Sequence, residues 1–182
     1  MKKFLLVLLV PLVVSAAAVA APNPASSAAY CANLQRLTPA MFAPTVGAAY
    51  KNLGACVSVK TAQEAQNTSN AAKLCTEERD GDAAAFLAAK GKSFADLYGT
   101  GNKKNAFGKC VSAKANAATA TQQATELNAA KQCKLWRANA TVFVAANSAA
   151  AGKTFASYYG SNAKKTNAFG KCVSKLAKAQ NS

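Results

Sequence analysis

The sequence predicts an all-α protein, built as three disulfide-stapled helical units joined by Ala-rich helices or linkers. Three observations carry that reading. Alanine, the strongest helix former, supplies 41 of the 162 residues after position 20, and no stretch sustains the period-2 alternation of a strand. Six cysteines, an even number, all fall in that same part of the chain. The eight residues Asn-Ala-Phe-Gly-Lys-Cys-Val-Ser occur twice, at 105–112 and at 167–174.

Residues 1–20 read as a bacterial-style signal peptide. Lys2 and Lys3 precede an apolar run from Phe4 to Val14 that only Pro11 interrupts, and Ala18-Val19-Ala20 is a small-x-small cleavage site. Cleavage is expected after Ala20, because a cut after Ala21 would place Pro22 beside the scissile bond. The alternative is an uncleaved anchor, for which the apolar run is near the short limit. Cys31 follows Ala28, Ala29 and Tyr30, which is not a lipoprotein pattern. No later stretch is apolar enough to span a bilayer, so the expected location is secreted or in the bacterial cell envelope. An oxidising compartment also accommodates three disulfides.

The composition explains why crosslinks are needed. After residue 20, Leu, Val and Phe together number 23 and isoleucine is absent, while 20 basic and 7 acidic residues leave a net charge of +13. A chain this charged and this poor in large apolar groups has difficulty offsetting its conformational entropy by burial alone.

The cysteines bracket three units, Cys31–Cys56, Cys75–Cys110 and Cys133–Cys172, and pairing is expected within each. On this reading residues 21–59 form a degenerate first unit, 60–112 a second and 113–182 a third. The second and third units align closely. Asn70-Ala-Ala-Lys-Leu-Cys75 matches Asn128-Ala-Ala-Lys-Gln-Cys133, and Gly91-Lys-Ser-Phe matches Gly152-Lys-Thr-Phe. Lys103-Lys104 likewise matches Lys164-Lys165. A repeat of this length marks an array of supersecondary units.

Each unit is expected to open at the end of the helix carrying its first cysteine. Ser93 or Thr154 then caps a short helix, Phe94–Tyr98 or Phe155–Tyr159, that stops at Gly99 or Gly160 as a left-handed terminal glycine. After a loop with paired lysines, Asn105 or Asn167 is expected to cap the next helix. Residues 60–73 and 112–126 contain no large apolar side chain and read as solvated helices holding successive units apart, or as flexible linkers. The helical option, favoured here, runs from Phe107 to about Trp136.

Two readings of the repeated octapeptide remain open. In the structural one, Phe107 packs with Phe94, Tyr98 and the disulfide in a small core, and Gly54, Gly108 and Gly170 permit close approach of a ring or backbone. In the functional one, Lys103, Lys104 and Lys109, and likewise Lys164, Lys165 and Lys171, are candidate anion-binding residues near a helix N-terminus, where phosphate or carboxylate would relieve their repulsion.

Other chemistry is sparse. With no histidine, His-dependent triads and His-Cys zinc sites are excluded, and with all cysteines assigned to bridges no thiol nucleophile remains. Gly91-Lys92-Ser93 and Gly152-Lys153-Thr154 lack the first glycine of a phosphate-binding loop. Asp80-Gly81-Asp82 lacks the rest of a calcium loop. No catalytic residue, metal site or cofactor is expected. Trp136 reads as core or as an inter-unit contact, with a carbohydrate platform as the alternative.

The second and third units resemble those of Ala-rich secreted bacterial proteins with repeated Tyr-Gly, Lys-Lys and Asn-Ala-Phe-Gly-Lys-Cys-Val-Ser segments. The resemblance covers residues 70–112 and 128–175 and implies export and repetition but no activity. The function expected is that of a non-enzymatic basic module whose partner is an anionic polymer or an acidic protein, without sequence-specific nucleic-acid readout. The alternatives are a spacer protein whose charge serves solubility, and a hydrolase using carboxylates alone, for which Glu77 and Asp82 are the clustered candidates.

Overall fold

A computed structural model describes residues 24–42 and 49–180, so the signal peptide expected at 1–20 lies outside the described residues. Eight α-helices are present among them and no strand. In chain order they are α1 (Ser27–Leu37), α2 (Leu53–Asp80), α3 (Ala83–Lys90), α4 (Phe94–Tyr98), α5 (Ala106–Ala138), α6 (Ala140–Ala146), α7 (Phe155–Tyr159) and α8 (Ala168–Gln180). Short 3-10 turns at Pro39–Met41 and Ser148–Ala150 complete the set. No helix among the described residues is long and apolar enough to cross a membrane.

The long helices α2 and α5 pack antiparallel. Lys60 meets Glu126, Asn67 meets Thr119, and Glu78 meets Lys114, so one number falls as the other rises. Helix α1 lies along the start of α2, where Ser27 Oγ donates to Glu64 Oε1 at 2.7 Å. Helix α8 packs on the C-terminal half of α5.

The disulfides pair Cys31–Cys56, Cys75–Cys110 and Cys133–Cys172, each with a Cα–Cα distance of 6.0 Å and with sulfurs closed off from solvent. Each one ties a helix to the start of the next long helix and thereby closes a corner of the chain. The first and third corners lie at one end of the α2–α5 pair and the second at the other.

Two expectations need correction. The Ala-rich stretches are helical, and α5 runs from Ala106 to Ala138 as expected, but they do not hold corners apart as solvated spacers. They pack on each other. Ala71, Ala115, Asn67 and Thr119 are all buried, and Asn67 Nδ2 donates to Thr119 Oγ1 at 3.0 Å and to Gln122 Oε1 at 2.8 Å. Small side chains let two helices approach closely, so a paired seam needs no large apolar residue.

The second correction concerns the core. A separate core in each corner was expected, but one cluster gathers Leu34, Met41 and Phe42 from the first corner with Trp136, Phe143 and Phe169 from the third. The second corner stays outside it. Helices α3 and α4 bury no residue, and Phe86, Phe94, Tyr98 and Phe107 are half-buried.

Loop closure at these separations contributes about 3.5–4 kcal/mol per disulfide, which matters most where no core supports the corner. Replacing Cys75 and Cys110 by Ser should therefore raise amide exchange through residues 70–115 while leaving the emission of Trp136 unchanged. Replacing Cys133 and Cys172 by Ser should shift that emission and lower the melting temperature. Equal effects of both pairs on Trp136 would contradict a core confined to one end.

Candidate anion-binding site

The repeated octapeptide builds the same corner twice. Asn105 was expected to cap α5, yet its side chain accepts no bond from that helix. It reaches back across the loop instead: Oδ1 accepts from Thr100 N at 3.0 Å and Nδ2 donates to Thr100 Oγ1 at 2.7 Å. Asn167 does the same at the third corner, accepting from Ser161 N at 3.0 Å and donating to Ser161 Oγ at 2.7 Å. The asparagine is a latch that joins the end of the short helix to the start of the next long one.

The short helices α4 and α7 are capped by Ser93 and Thr154, which accept from Asp96 N and Ser157 N. The glycines that follow have φ of −77° and −71°, so the expected left-handed stop is absent. Glycine is required there by proximity. A Cβ on Gly99 would lie 2.8 Å from Lys103 Cα, and one on Gly160 would lie 2.8 Å from Lys165 Cβ. The left-handed residues are those lysines themselves, at φ 62° for Lys103 and 54° for Lys165. The predicted close approach at Gly108 does not occur, because a Cβ there meets nothing within 4 Å.

The phenylalanine of the octapeptide has a partner that the sequence reading missed. Arg79 sits 4.8 Å from the ring centroid of Phe107, and Arg137 sits 5.1 Å from that of Phe169. Each arginine stands four residues after the first cysteine of its corner, a spacing visible in the sequence. Such stacking orients a guanidinium while leaving its edge accessible.

Beyond this shared frame the two corners differ in charge. At the second, Glu78 accepts from Tyr98 OH at 3.0 Å and from Lys114 Nζ at 2.9 Å. Burial alone would raise the Glu78 carboxyl, but the bonds from Lys114 and Tyr98 outweigh it and hold the group below its ordinary range. Asp96 pairs with Lys103 and accepts from Ser93 Oγ, and these bonds lower its carboxyl too. At the matching positions the third corner carries Trp136 for Glu78, Leu176 for Lys114 and Ser157 for Asp96.

The third corner consequently holds a cavity of about 480 Å³ without an acidic wall. Trp136, Phe155 and Phe169 supply apolar surface, and Arg137, Lys153 and Lys165 supply positive charge. Lys165 Nζ also donates to the Gly160 carbonyl at 3.1 Å. Trp136 is almost fully buried and stacks on Tyr159 at an interplanar angle of 10°. Its Nε1–H is buried without a hydrogen-bond partner.

Of the six lysines singled out from the sequence, Lys165 alone lines this cavity. Lys103 is neutralised by Asp96, and Lys104, Lys109, Lys164 and Lys171 are exposed on the two corners outside it. Arg137 and Lys153, the cations that join Lys165, went unrecognised in the sequence. Lys153 lies in the Gly-Lys-Thr segment set aside as an incomplete phosphate loop.

Of the acids of the second corner Glu77 is exposed, while the others hold structural positions. Asp80 pairs with Arg79 at 2.7 Å, and Asp82 Oδ1 caps α3 by accepting from Ala84 N and Ala85 N at 2.8 and 3.1 Å.

A further polar cluster ties the N-terminal segments to α5. Glu126 accepts from Tyr30 OH at 2.6 Å and Tyr50 OH at 2.7 Å, and pairs with Lys60 Nζ at 2.7 Å. Burial first, then the charge of Glu126 and its hydrogen bond, push both phenols above their ordinary value.

No protein-family model, curated protein or solved structure matches the chain.

Glycine in a helix costs about 0.5–1 kcal/mol relative to alanine. Gly108→Ala should therefore preserve or raise the melting temperature, while Gly160→Ala should lower it; the reverse order would remove the close-approach account. The tyrosines predict an alkaline limit. A group whose folded pKa is raised contributes stability below its unfolded value, about 10 for a phenol, and loses it as pH rises through the folded value. Denaturant midpoints should accordingly fall above about pH 10, and Tyr30→Phe should shrink that fall.

Proposed function

We propose that this is an exported, non-enzymatic, basic helical repeat protein whose stapled corners serve as an interaction module for an anionic partner, either an envelope polymer, extracellular DNA or an acidic protein. On this reading the corner frame shared by the second and third units serves stability, and the third was shaped for binding. Export rests on the segment at 1–20 and is in keeping with three disulfides.

One observation carries the binding reading. After Asp96 the chain has 13 Lys and Arg residues and a single acid, Glu126. That acid is largely buried and paired with Lys60. The exposed charge contributed by the C-terminal half is therefore positive throughout. Such a surface draws polyanions by its field and by release of their counterions. Lys103 and Lys114 are already paired with Asp96 and Glu78, so the third corner is the stronger contact. The absence of histidine and the structural engagement of Glu78, Asp80, Asp82 and Asp96 support the non-enzymatic reading.

Retention on heparin or DNA should fall steeply with salt. Replacing Lys164 and Lys165 by Gln should reduce both retention and its salt slope, with the melting temperature nearly unchanged because exposed charges add little stability. The corresponding Lys103/Lys104 double variant should have a smaller effect. Retention indifferent to Lys164 and Lys165 would favour a spacer protein whose charge serves solubility.

A further inference from the structure

We propose that the cavity of the third corner binds a small amphipathic anion, a molecule with one carboxylate on an apolar body. The inference rests on the same acid-free corner as the polyanion reading, but it assigns the cavity a ligand of its own. A polymer held by exposed lysines needs charge alone. The cavity offers charge and a mostly apolar wall together.

Three features select this ligand class. The volume of about 480 Å³ is in the range typical of small-molecule sites. Arg137, Lys153 and Lys165 line it with no carboxylate among its lining residues; Arg137 lies over the face of Phe169 at 5.1 Å, and the Lys153 ammonium sits 5.8 Å from the Tyr158 ring. A guanidinium held in that way presents its donors in the fork that fits a carboxylate. Opposite in character, Trp136, Phe155 and Phe169 would cover the apolar body.

The second corner supplies an internal comparison. It keeps the stapled frame, the arginine on the phenylalanine and the asparagine latch, yet Glu78 stands at the position of Trp136 and Asp96 at that of Ser157. There Lys114 and Lys103 are already paired with those acids. The frame alone does not account for the cavity of the third corner.

Trp136 is the sole tryptophan of the chain, so its emission reports on this wall directly. The full protein, with disulfides intact, is titrated with decanoate below its micelle concentration, and in parallel with decanol and with inorganic phosphate. Decanoate should give a saturable change in emission, while decanol and phosphate should each bind at least tenfold more weakly. Lys153→Gln with Lys165→Gln should weaken decanoate at least tenfold. Arg137→Gln should do the same, and the lysine double variant keeps the test decisive if loss of Arg137 disturbs the Phe169 contact. A Lys104→Gln, Lys109→Gln variant of the second corner should bind decanoate like the parent. Equal binding of decanol or of phosphate, the absence of saturation, or indifference to the Lys153/Lys165 change would overturn the proposal. Heparin retention measured on the same proteins separates the two readings: decanoate binding without heparin retention defeats only the polymer contact, and the converse defeats only the cavity.

Discussion

Disulfides at Cys31–Cys56, Cys75–Cys110 and Cys133–Cys172 set the distance between helices at three turns of the chain, and the packing elsewhere depends on those closures. Between the Lys60–Glu126 pair and the Cys75–Cys110 bridge, the buried seam of α2 and α5 consists of Ala, Thr and Asn. Such side chains permit close approach but bury little apolar area, and apolar burial is the main favourable term in folding. Crosslinks reduce the entropy of the unfolded chain and so make a lightly packed seam sufficient. At the second corner, where no residue of α3 or α4 is buried, the crosslink has the least help.

A second constraint acts through charge. Four segments that are distant in sequence meet at Glu126, through the hydroxyls of Tyr30 and Tyr50 and the ammonium of Lys60. A buried carboxylate is tolerated when its oxygens are hydrogen-bonded and its charge is paired, and here both conditions hold. Placing that acid inside leaves the C-terminal half with cations at its surface. Glu78 and Asp96 neutralise lysines of the second corner in a comparable way. The charge distribution that distinguishes the two corners thus follows from where a few carboxylates lie.

The octapeptide Asn-Ala-Phe-Gly-Lys-Cys-Val-Ser is a shared frame on which the two corners diverge. Its asparagine latches a loop, its phenylalanine carries an arginine and its cysteine closes the turn, at both sites. Variation falls on the neighbours that face it. The change from Glu78 and Lys114 to Trp136 and Leu176 replaces an ion pair by apolar side chains, and it accompanies entry of the third corner into the common core.

Local signals in the sequence determined the helical class, the caps at Ser93 and Thr154, the extents of α4 and α7 and the pairing of the cysteines. Propensity, capping and spacing act within a few residues of each other, so they can be read along the chain. Tertiary structure alone decided that the Ala-rich stretches pair instead of separating corners, since small residues look alike on a solvated helix and in a tight seam. It also decided that Asn105 and Asn167 bond backward to a loop, and that Gly99 and Gly160 are needed for proximity and not for handedness. Of the predicted lysines only Lys165 reaches the cavity, where Arg137 and Lys153 join it. Those partners are 28 and 12 residues away in the chain, and only the closing of the Cys133–Cys172 corner brings their charges together.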